Sequence, residues 1–359
     1  MPTRFAAIVL LAGTVLMAGS ALADEETAVP LRLIGAAPTL SANKDLRFAI
    51  DALVTKRNGQ PEIKGWLAAL PPETGYAFIA GWCSNGRECL LSFYRGTRRI
   101  RFTGDLLGSQ QQIDGHFEIS AGRDGEASEG AATFTPFTDT VPGLGALVPP
   151  NAIDSSALND LLLWSAPSAM LNVTAGPIDS ADRELLAEWQ VSQGRPGTGL
   201  LLASDLDQLT RHRAAQQKAL GWTLVSAADK KWSAGYPATL LHPLGGSGAE
   251  RRFASKDGKA SLAITVEPPV DKAGLDRLIE ALIEDPEGKR TDLHAGGTDL
   301  DQVISYVERG RMITQVFRGR PAGLTRLTFS YPRGNKSYDN IAPMVSLSLS
   351  VADEVGPTP

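Results

Sequence analysis

Short apolar or alternating runs follow one another between Leu46 and Phe137, and this pattern narrows the possible folds of the chain. The runs read LRFAIDALV, IKGWLAAL, GYAFIAGW, CLLSFYRG, RRIRFTG, QIDGHFEI and AATFTPF, and turn-forming residues separate most of them. Runs of this length and spacing are typical of antiparallel sheets, in which every second side chain faces the core. Residues 46–138 are therefore predicted to form an antiparallel β-sandwich or barrel.

Five aromatic residues in these runs allow two interpretations. They could form a platform that stacks against a carbohydrate, or they could fill the core of the β-domain. The core interpretation is favoured, because alternating strands bury one face and aromatic side chains dominate such cores. The residues are Tyr76, Phe78, Trp82, Phe93 and Tyr94.

The first 23 residues have the three parts of a secretory signal peptide. Arg4 supplies the positive charge, an apolar stretch runs from Phe5 to Met17, and Ala21-Leu22-Ala23 is an A-x-A cleavage site. Cleavage after Ala23 leaves a mature chain without a later apolar run long enough to span a membrane. The sequence therefore predicts a secreted, periplasmic protein with no integral membrane segment.

The two cysteines, Cys83 and Cys89, lie on either side of a Ser-Asn-Gly turn. An even number of cysteines in an exported chain favours a disulfide, and this spacing would close a β-hairpin. Two cysteines are too few for a structural zinc site, and the histidines show no metal-binding spacing. We therefore expect no metal and no cofactor. The histidines are His116, His212, His242 and His294.

The charge balance excludes one class of partner. The chain has 35 Lys and Arg residues against 40 Asp and Glu residues, a formal net charge of −5, without a basic run. Proteins that bind nucleic acid carry a basic patch or stripe. No nucleic-acid partner is expected.

The sequence pattern changes after the β-domain. Apolar residues from Leu158 to Leu162 have helical spacing, and a second helix is predicted after Asp179 or Ser180, which favour the N-cap position. Later strand-like runs and an amphipathic stretch from Lys272 to Glu284 are typical of an α+β domain with helices on an antiparallel sheet. The predicted organisation is a signal peptide (1–23), a leader or linker (24–45), a disulfide-closed β-domain (46–138), a Pro/Gly linker (139–154), a three-helix module (155–215), an α+β domain (216–351) and a tail (352–359).

The segment from Gly176 to Leu209 resembles the second half of the peptidoglycan-binding-like module, a small three-helix domain. The family pattern has G-x-I-D, a helix ending in an aromatic-Gln pair, a turn, T-G and a last capped helix. This chain departs from it at Ser180-Ala181-Asp182, where the family has a Gly-rich turn. The matching residues are Gly176, Ile178, Asp179, Trp189, Gln190, Gly194, Thr198 and Gly199.

This resemblance implies a three-helix fold for residues 155–210 and peptidoglycan as a partner, since some members of the family bind cell-wall glycopeptide. Other members are spacers or interaction domains. The matching residues also have a structural interpretation, because glycine permits the backbone geometry that links helices and Trp189 can fill a small core. Both interpretations remain open at this point.

The C-terminal part is similar, more weakly, to the α/β/α-sandwich domain shared by photosystem II extrinsic proteins and a nuclear-transport cofactor. The features are a Gly-Tyr-Pro turn at 235–237, a Phe-x-Ser-x-Asp-Gly hairpin at 253–258 and a strand ending Ser-Tyr-Pro at 330–332. The resemblance implies a domain that binds a partner or takes part in assembly rather than an enzyme.

The sequence shows no catalytic constellation. A nucleophile elbow, a phosphate-binding loop and a dinucleotide fingerprint are missing. The function predicted first is a non-catalytic cell-envelope protein that binds peptidoglycan through its helical module and a protein or other partner through its C-terminal domain. The alternatives are an interaction scaffold without glycan binding and a cell-wall-active enzyme with an unrecognised carboxylate site, since paired carboxylates are recognised only in space.

Overall fold

The computed structural model describes most of the chain after the predicted signal peptide. Gly176 and residues 353–359 of the predicted tail, like the signal peptide itself, lie outside the described residues. The described residues are 28–37, 46–57, 59–71, 75–84, 88–95, 98–107, 112–120, 127–149, 152–165, 178–229, 231–246, 249–284 and 289–352.

Eight strands form a closed antiparallel barrel at the N-terminal end. Each strand pairs with the next one in sequence, and β1 also pairs with β8, which closes the sheet. Of the two predicted architectures, the barrel is the one observed. The strands are β1 (Val29–Ala37), β2 (Leu46–Arg57), β3 (Gln60–Ala69), β4 (Tyr76–Ser84), β5 (Glu88–Arg95), β6 (Arg98–Gly104), β7 (Ile113–Ile119) and β8 (Ser128–Pro136).

Alternate side chains fill the barrel interior, as expected for strands with a period of two. Phe48, Phe102 and Phe134 are fully buried, and their ring centroids lie 4.9 to 5.9 Å apart. Cys83 stands directly opposite Cys89, and the two side chains form a buried disulfide between β4 and β5. The predicted hairpin disulfide is therefore present.

The barrel begins earlier in the chain than the sequence indicated. Residues 29–37 fall in the predicted leader, yet they form β1, which pairs with β2 along all nine residues. Pro30 and Gly35 weaken the local strand pattern of this segment. Its strand conformation depends on partners as distant in sequence as Pro136, so the leader prediction is corrected.

The segment predicted as a Pro/Gly linker (139–154) is packed rather than extended. It contains a hairpin of β9 (Thr140–Val141) and β10 (Gly145–Ala146), and Leu147 forms an isolated bridge with Leu202. Val141 and Leu147 are buried in an apolar cluster on the outside of the barrel. The linker prediction is corrected because these apolar side chains find partners that local sequence does not show.

Three helices follow, α1 (Ser155–Ser165), α2 (Ser180–Ser192) and α3 (Ala203–Leu220), and we call this part of the chain the helical segment. The Asp179 carboxylate caps α2 by accepting a hydrogen bond from the Asp182 amide at 3.0 Å, and the Asp182 carboxylate accepts one from the Asp179 amide at 2.9 Å. The central helices are therefore present. Their shared apolar cluster includes Leu158, Leu162, Leu186, Trp189 and Leu209.

The C-terminal part contains two antiparallel sheets. A three-stranded sheet has the order β11-β12-β20, and a seven-stranded sheet has the order β13-β14-β15-β19-β18-β17-β16. The strands are β11 (Trp222–Ser226), β12 (Trp232–Pro237), β13 (His242–Gly245), β14 (Glu250–Ala254), β15 (Ser261–Glu267), β16 (Arg290–Thr298), β17 (Asp301–Glu308), β18 (Arg311–Arg320), β19 (Gly323–Pro332) and β20 (Ser350–Val351).

Short helices cover both faces of the seven-stranded sheet. They are α4 (Lys272–Ile283), α5 (Lys336–Asp339) and α6 (Ala342–Leu347). Leu275 of α4 packs with Phe317 and Leu324 on one face. On the other face, Val345 of α6 belongs to a cluster that also contains Trp164 of α1. The C-terminal part thus consists of antiparallel sheets with few helices. Trp164 of α1 connects the helical segment to its core.

Candidate functional site

The residues of the family-like motif in the helical segment form a buried hydrogen-bond network. The side-chain oxygen of Gln190 accepts bonds from the amides of Thr198 and Gly199 at 2.9 and 3.0 Å. The side-chain nitrogen of Gln190 donates to the carbonyl of Leu200 at 3.0 Å and to the carboxylate of Asp205 at 2.7 Å. Gln190 therefore holds the turn between α2 and α3, and its amide is fully engaged.

The same turn rests on the barrel. The indole nitrogen of Trp66 donates a hydrogen bond to the carbonyl of Thr198 at 2.7 Å. Gly199 has φ +66°, and a Cβ at this position would lie 2.7 Å from that indole nitrogen and 2.8 Å from the carbonyl of Arg183. The Thr-Gly pair is thus part of the contact between the helical segment and the barrel.

The remaining motif residues also have structural positions. Ile178 packs against the helical cluster, Asp179 caps α2, and Gly194 adopts φ +71° after α2. Trp189 is buried, and the guanidinium carbon of Arg195 lies 4.9 Å from the centre of its ring. The described motif residues therefore lie in the core, cap and turns of these helices, where they support the fold.

An ion-pair network fixes the helical segment to the barrel beside Trp66. The carboxylate of Asp51 accepts bonds from Arg32 of β1 at 3.1 Å and from Arg183 of α2 at 2.7 Å. Arg32 also donates to the carbonyls of Thr138 and Val148 at 2.8 and 3.0 Å. Because its charges are paired and hydrogen-bonded, this largely buried network avoids the cost of an isolated buried charge.

Three aromatic side chains on β4 point outward and are exposed to solvent. The exposed fractions are 38% for Tyr76, 48% for Phe78 and 52% for Trp82. They belong to the strand face opposite Ile79 and Cys83, which are buried in the barrel. Phe93 is buried, and the side chain of Tyr94 is outside what the structure describes. The core interpretation is therefore wrong for Tyr76, Phe78 and Trp82, which we call the aromatic row.

One signal in the sequence could have identified the aromatic row. Its members are separated by two and four residues, so they lie on one face of a strand, and Cys83 lies on the other face. A buried disulfide at Cys83 places the aromatic row outside the barrel. Six residues of strand span about 20 Å at ~3.3 Å per residue, so the row is long enough for an extended ligand.

One end of the aromatic row lies beside Trp66, which the helical segment covers. The ring of Tyr76 stacks on Trp66 with a centroid distance of 4.9 Å and an angle of 20° between the planes. Partial burial, with the nearby carboxylates of Glu184 and Glu188 on α2, raises the pKa of Tyr76 above its usual value of 10.0. This end of the row is therefore anchored and has acidic neighbours.

The other end of the aromatic row has a pocket. It has a volume of about 380 Å³ and is lined by Arg57, Gln60, Pro61, Glu62 and Trp82. Glu62 is the cross-strand neighbour of Trp82, and its carboxylate lies 3.1 Å from the Lys64 ammonium and 3.8 Å from the Arg57 guanidinium. This open pocket combines one aromatic ring with three charged or polar side chains, so it can stack against a sugar ring and hydrogen-bond to its hydroxyl groups.

No candidate metal site is found in the part of the chain that the structure describes. That part contains no group of three or more His, Cys, Asp and Glu side chains able to hold a metal ion. The histidines are dispersed over β7, α3, β13 and β16.

Among the described helices, none combines the length and apolar character needed to cross a membrane.

Comparison with known proteins gives little further information. No family model and no curated protein matches the chain. Among solved structures, the chain is similar to the solution structure of cyanobacterial PsbP (CyanoP) from Synechocystis sp. PCC 6803, with 16% sequence identity and a TM-score of 0.27. The similarity covers 36% of this chain and 92% of that chain. The resemblance to a PsbP-like fold is faint, and the comparisons do not support a peptidoglycan-binding module.

Proposed function

We propose that this protein is a non-catalytic binding protein of the cell envelope that holds a glycan chain along the aromatic row. The observation that carries the proposal is the exposure of three aromatic side chains on one face of β4. Large exposed aromatic groups on a soluble surface cost solvation free energy unless a ligand covers them, so a row of them marks a binding surface.

The chemistry of the row favours a glycan over a wholly apolar ligand. Aromatic rings stack on the apolar faces of sugar rings, while hydroxyl groups at the sugar edges need hydrogen-bonding partners. Gln60, Glu62 and Lys64 provide such partners beside Trp82. A length of about 20 Å for six strand residues suits a polymer rather than a single sugar.

The barrel is a rigid support for such a site. β4 is hydrogen-bonded to β3 and β5 on its two sides, and the Cys83–Cys89 disulfide joins β4 to β5 directly beside Trp82. A surface that is ordered before binding loses less conformational entropy when the ligand arrives. The disulfide and the predicted signal peptide together support an oxidising compartment outside the cytoplasm, where peptidoglycan is the glycan polymer to test first.

The helical segment is assigned a structural role in this proposal. Its Thr198-Gly199 turn is covered by Trp66, and the side chain of Gln190 accepts hydrogen bonds from the amides of that turn. A ligand at this turn would have to displace the barrel. The aromatic row is therefore a better candidate for binding the cell wall than the motif in the helical segment.

The test is co-sedimentation of the mature chain, residues 24–359, with purified protein-free peptidoglycan sacculi. We expect the double variant Phe78→Ala, Trp82→Ala to bind about tenfold more weakly or worse, because stacked aromatic side chains carry most of the affinity at such sites. The matched control is Leu224→Ala, which removes an exposed apolar side chain from β11 in the C-terminal part and is expected to bind like the unaltered protein.

Unchanged sedimentation of the double variant would overturn the assignment of the site to the aromatic row. Failure of the unaltered protein to sediment at any salt concentration would favour the interaction scaffold. Release of soluble fragments from sacculi during the incubation would favour the cell-wall-active enzyme.

A further inference from the structure

We infer that the pocket beside Trp82 selects a carboxylated substituent, so that the glycan held by the aromatic row is an acidic one. This inference rests on the proposed function, because it assigns a chemical preference to one end of the same site. It concerns a group that projects from the polymer into the pocket.

Arg57 is the main reason for this preference. Its side chain is 73% exposed, and its contact with Glu62 is 3.8 Å, longer than a hydrogen bond. The planar guanidinium fork matches the two oxygens of a carboxylate and can donate two parallel hydrogen bonds to them. Gln60 adds an amide that can donate to the same group or accept from a neighbouring hydroxyl.

The charges around the pocket are suited to a single negative charge. Arg57 and Lys64 both lie near the Glu62 carboxylate, so two positive groups surround one negative group. A monoanionic carboxylate neutralises the remaining positive charge, whereas a phosphate monoester, with close to two negative charges, would exceed it. The pocket therefore favours a carboxylate over a neutral group and over a phosphate monoester.

The difference in charge between the two ends of the aromatic row supports this assignment. The Tyr76 end of the row lies near Glu184 and Glu188, which disfavour an anion there. An acidic polymer with its carboxylate at the Trp82 end therefore avoids the acidic end of the row. The two ends differ in charge, and this difference gives the bound chain a preferred orientation.

The experiment compares native sacculi with sacculi whose carboxyl groups have been converted to amides by carbodiimide and ammonia. We expect the unaltered protein to bind the amidated sacculi about tenfold more weakly, the usual scale for losing a charge-assisted pair. Arg57→Gln should weaken binding to native sacculi by a similar factor and should no longer distinguish the two preparations.

Arg47→Gln is the matched control. Arg47 is exposed and lies near the start of β2, whereas Arg57 ends the same strand, so the substitution makes the same charge change at the opposite end of the barrel. Its affinity and its preference for native sacculi should equal those of the unaltered protein. Equal loss in both variants would overturn the inference, because it would indicate a general effect of charge.

A second pair of probes separates this inference from the proposed function. Soluble oligogalacturonate carries a carboxylate on each sugar, and its methyl ester does not. Binding of the acid form with weaker binding of the ester, lost in Arg57→Gln, supports the inference even if sacculi do not sediment the protein. Equal binding of both forms, or of native and amidated sacculi, overturns the carboxylate preference and leaves the aromatic row in place. Failure to bind any of the four probes overturns both proposals.

Discussion

Trp66 and Trp82 lie on neighbouring strands and on the same outer face of the barrel, yet one is 1% exposed and the other 52%. Trp66 is covered by the turn of the helical segment, which accepts its indole hydrogen bond. Trp82 has Arg57, Gln60 and Glu62 around an open pocket instead. An aromatic face outside a barrel is therefore an internal interface where the chain supplies a partner, and a candidate ligand site where it does not.

The boundary between the covered and the open parts can be followed across the strands. Arg32, Asp51, Trp66 and Phe78 are successive cross-strand neighbours on β1 to β4. The first three are bonded to the helical segment or to the residues before it, and Phe78 is exposed. In this row of residues, the covering elements therefore end between β3 and β4.

The strongest predicted contrast in stability is between the two tryptophans when each is replaced by alanine. Trp66→Ala should lower the free energy of unfolding by about 3 to 5 kcal/mol, because it removes a buried ring and leaves the Thr198 carbonyl without its donor. Trp82→Ala should change it by about 0.5 kcal/mol or less, as is usual at exposed sites. Urea denaturation of the two variants checks this, and equal losses would contradict the division into covered and open faces.

A smaller effect is expected at two glycines of the helical segment. Gly194 and Gly199 both have positive φ, but a Cβ at Gly194 meets nothing within 4 Å, whereas one at Gly199 would meet Trp66. Gly194→Ala should cost about 1 kcal/mol from backbone strain alone. Gly199→Ala should cost about 2 kcal/mol more, because the turn or the indole must move.

Thermal or urea unfolding measures both glycine variants. Combining Gly199→Ala with Trp66→Ala should remove part of the additional cost, since the small side chain removes the contact with the indole but leaves the Arg183 carbonyl 2.8 Å from the new methyl group. An unchanged cost in the double variant would show that Trp66 is not what restricts this position.

The last and smallest predicted change is in the pKa of Tyr76, which lies at the junction of the covered and open faces. Burial is the larger cause of its raised pKa, followed by the charges of Glu184 and Glu188. Because the folded protein binds the phenolic proton more tightly, its contribution to stability is present below pH 10 and is lost as the pH rises through the raised pKa. Replacing both glutamates by glutamine should lower the pKa of Tyr76 but leave it above the usual value.

An NMR titration with carbon-13-labelled tyrosine follows this pKa, and Tyr76→Phe assigns the signal. Glu129→Gln is a suitable control, because Glu129 lies near His116 on another part of the barrel. An unchanged pKa in the double glutamine variant would show that α2 does not approach the aromatic row.

Local patterns predicted the elements whose partners are near in sequence. The runs from Leu46 to Phe137 contain β2 to β8, which pair in sequence order. Asp179 was one of two predicted caps for α2 and is the observed one. In contrast, β1 was missed because Pro30 and Gly35 weaken its local strand pattern, although its partner β2 follows next in the chain. The packing of the predicted linker was missed because its partners are distant in sequence, since Val141 and Leu147 share an apolar cluster with Trp66 and Leu202.

The sequence predicted only part of the candidate site. The aromatic residues were recognised, but Tyr76, Phe78 and Trp82 were assigned to the core. Alternation along β4 groups these residues on one face, but it does not say whether that face is inside the barrel. The position of the disulfide would have supplied that information, because Cys83 belongs to the opposite face.

Local sequence was sufficient to predict β2 to β8, the cysteine pair and the start of α2, because propensity, capping and period act over a few residues. Tertiary packing was needed to show that the barrel closes through β1, that Trp66 is covered and that Trp82 is open. Those outcomes depend on contacts such as that of Trp66 with Thr198, which are 132 residues apart. The packing of distant surfaces therefore decides which aromatic face is left for a ligand.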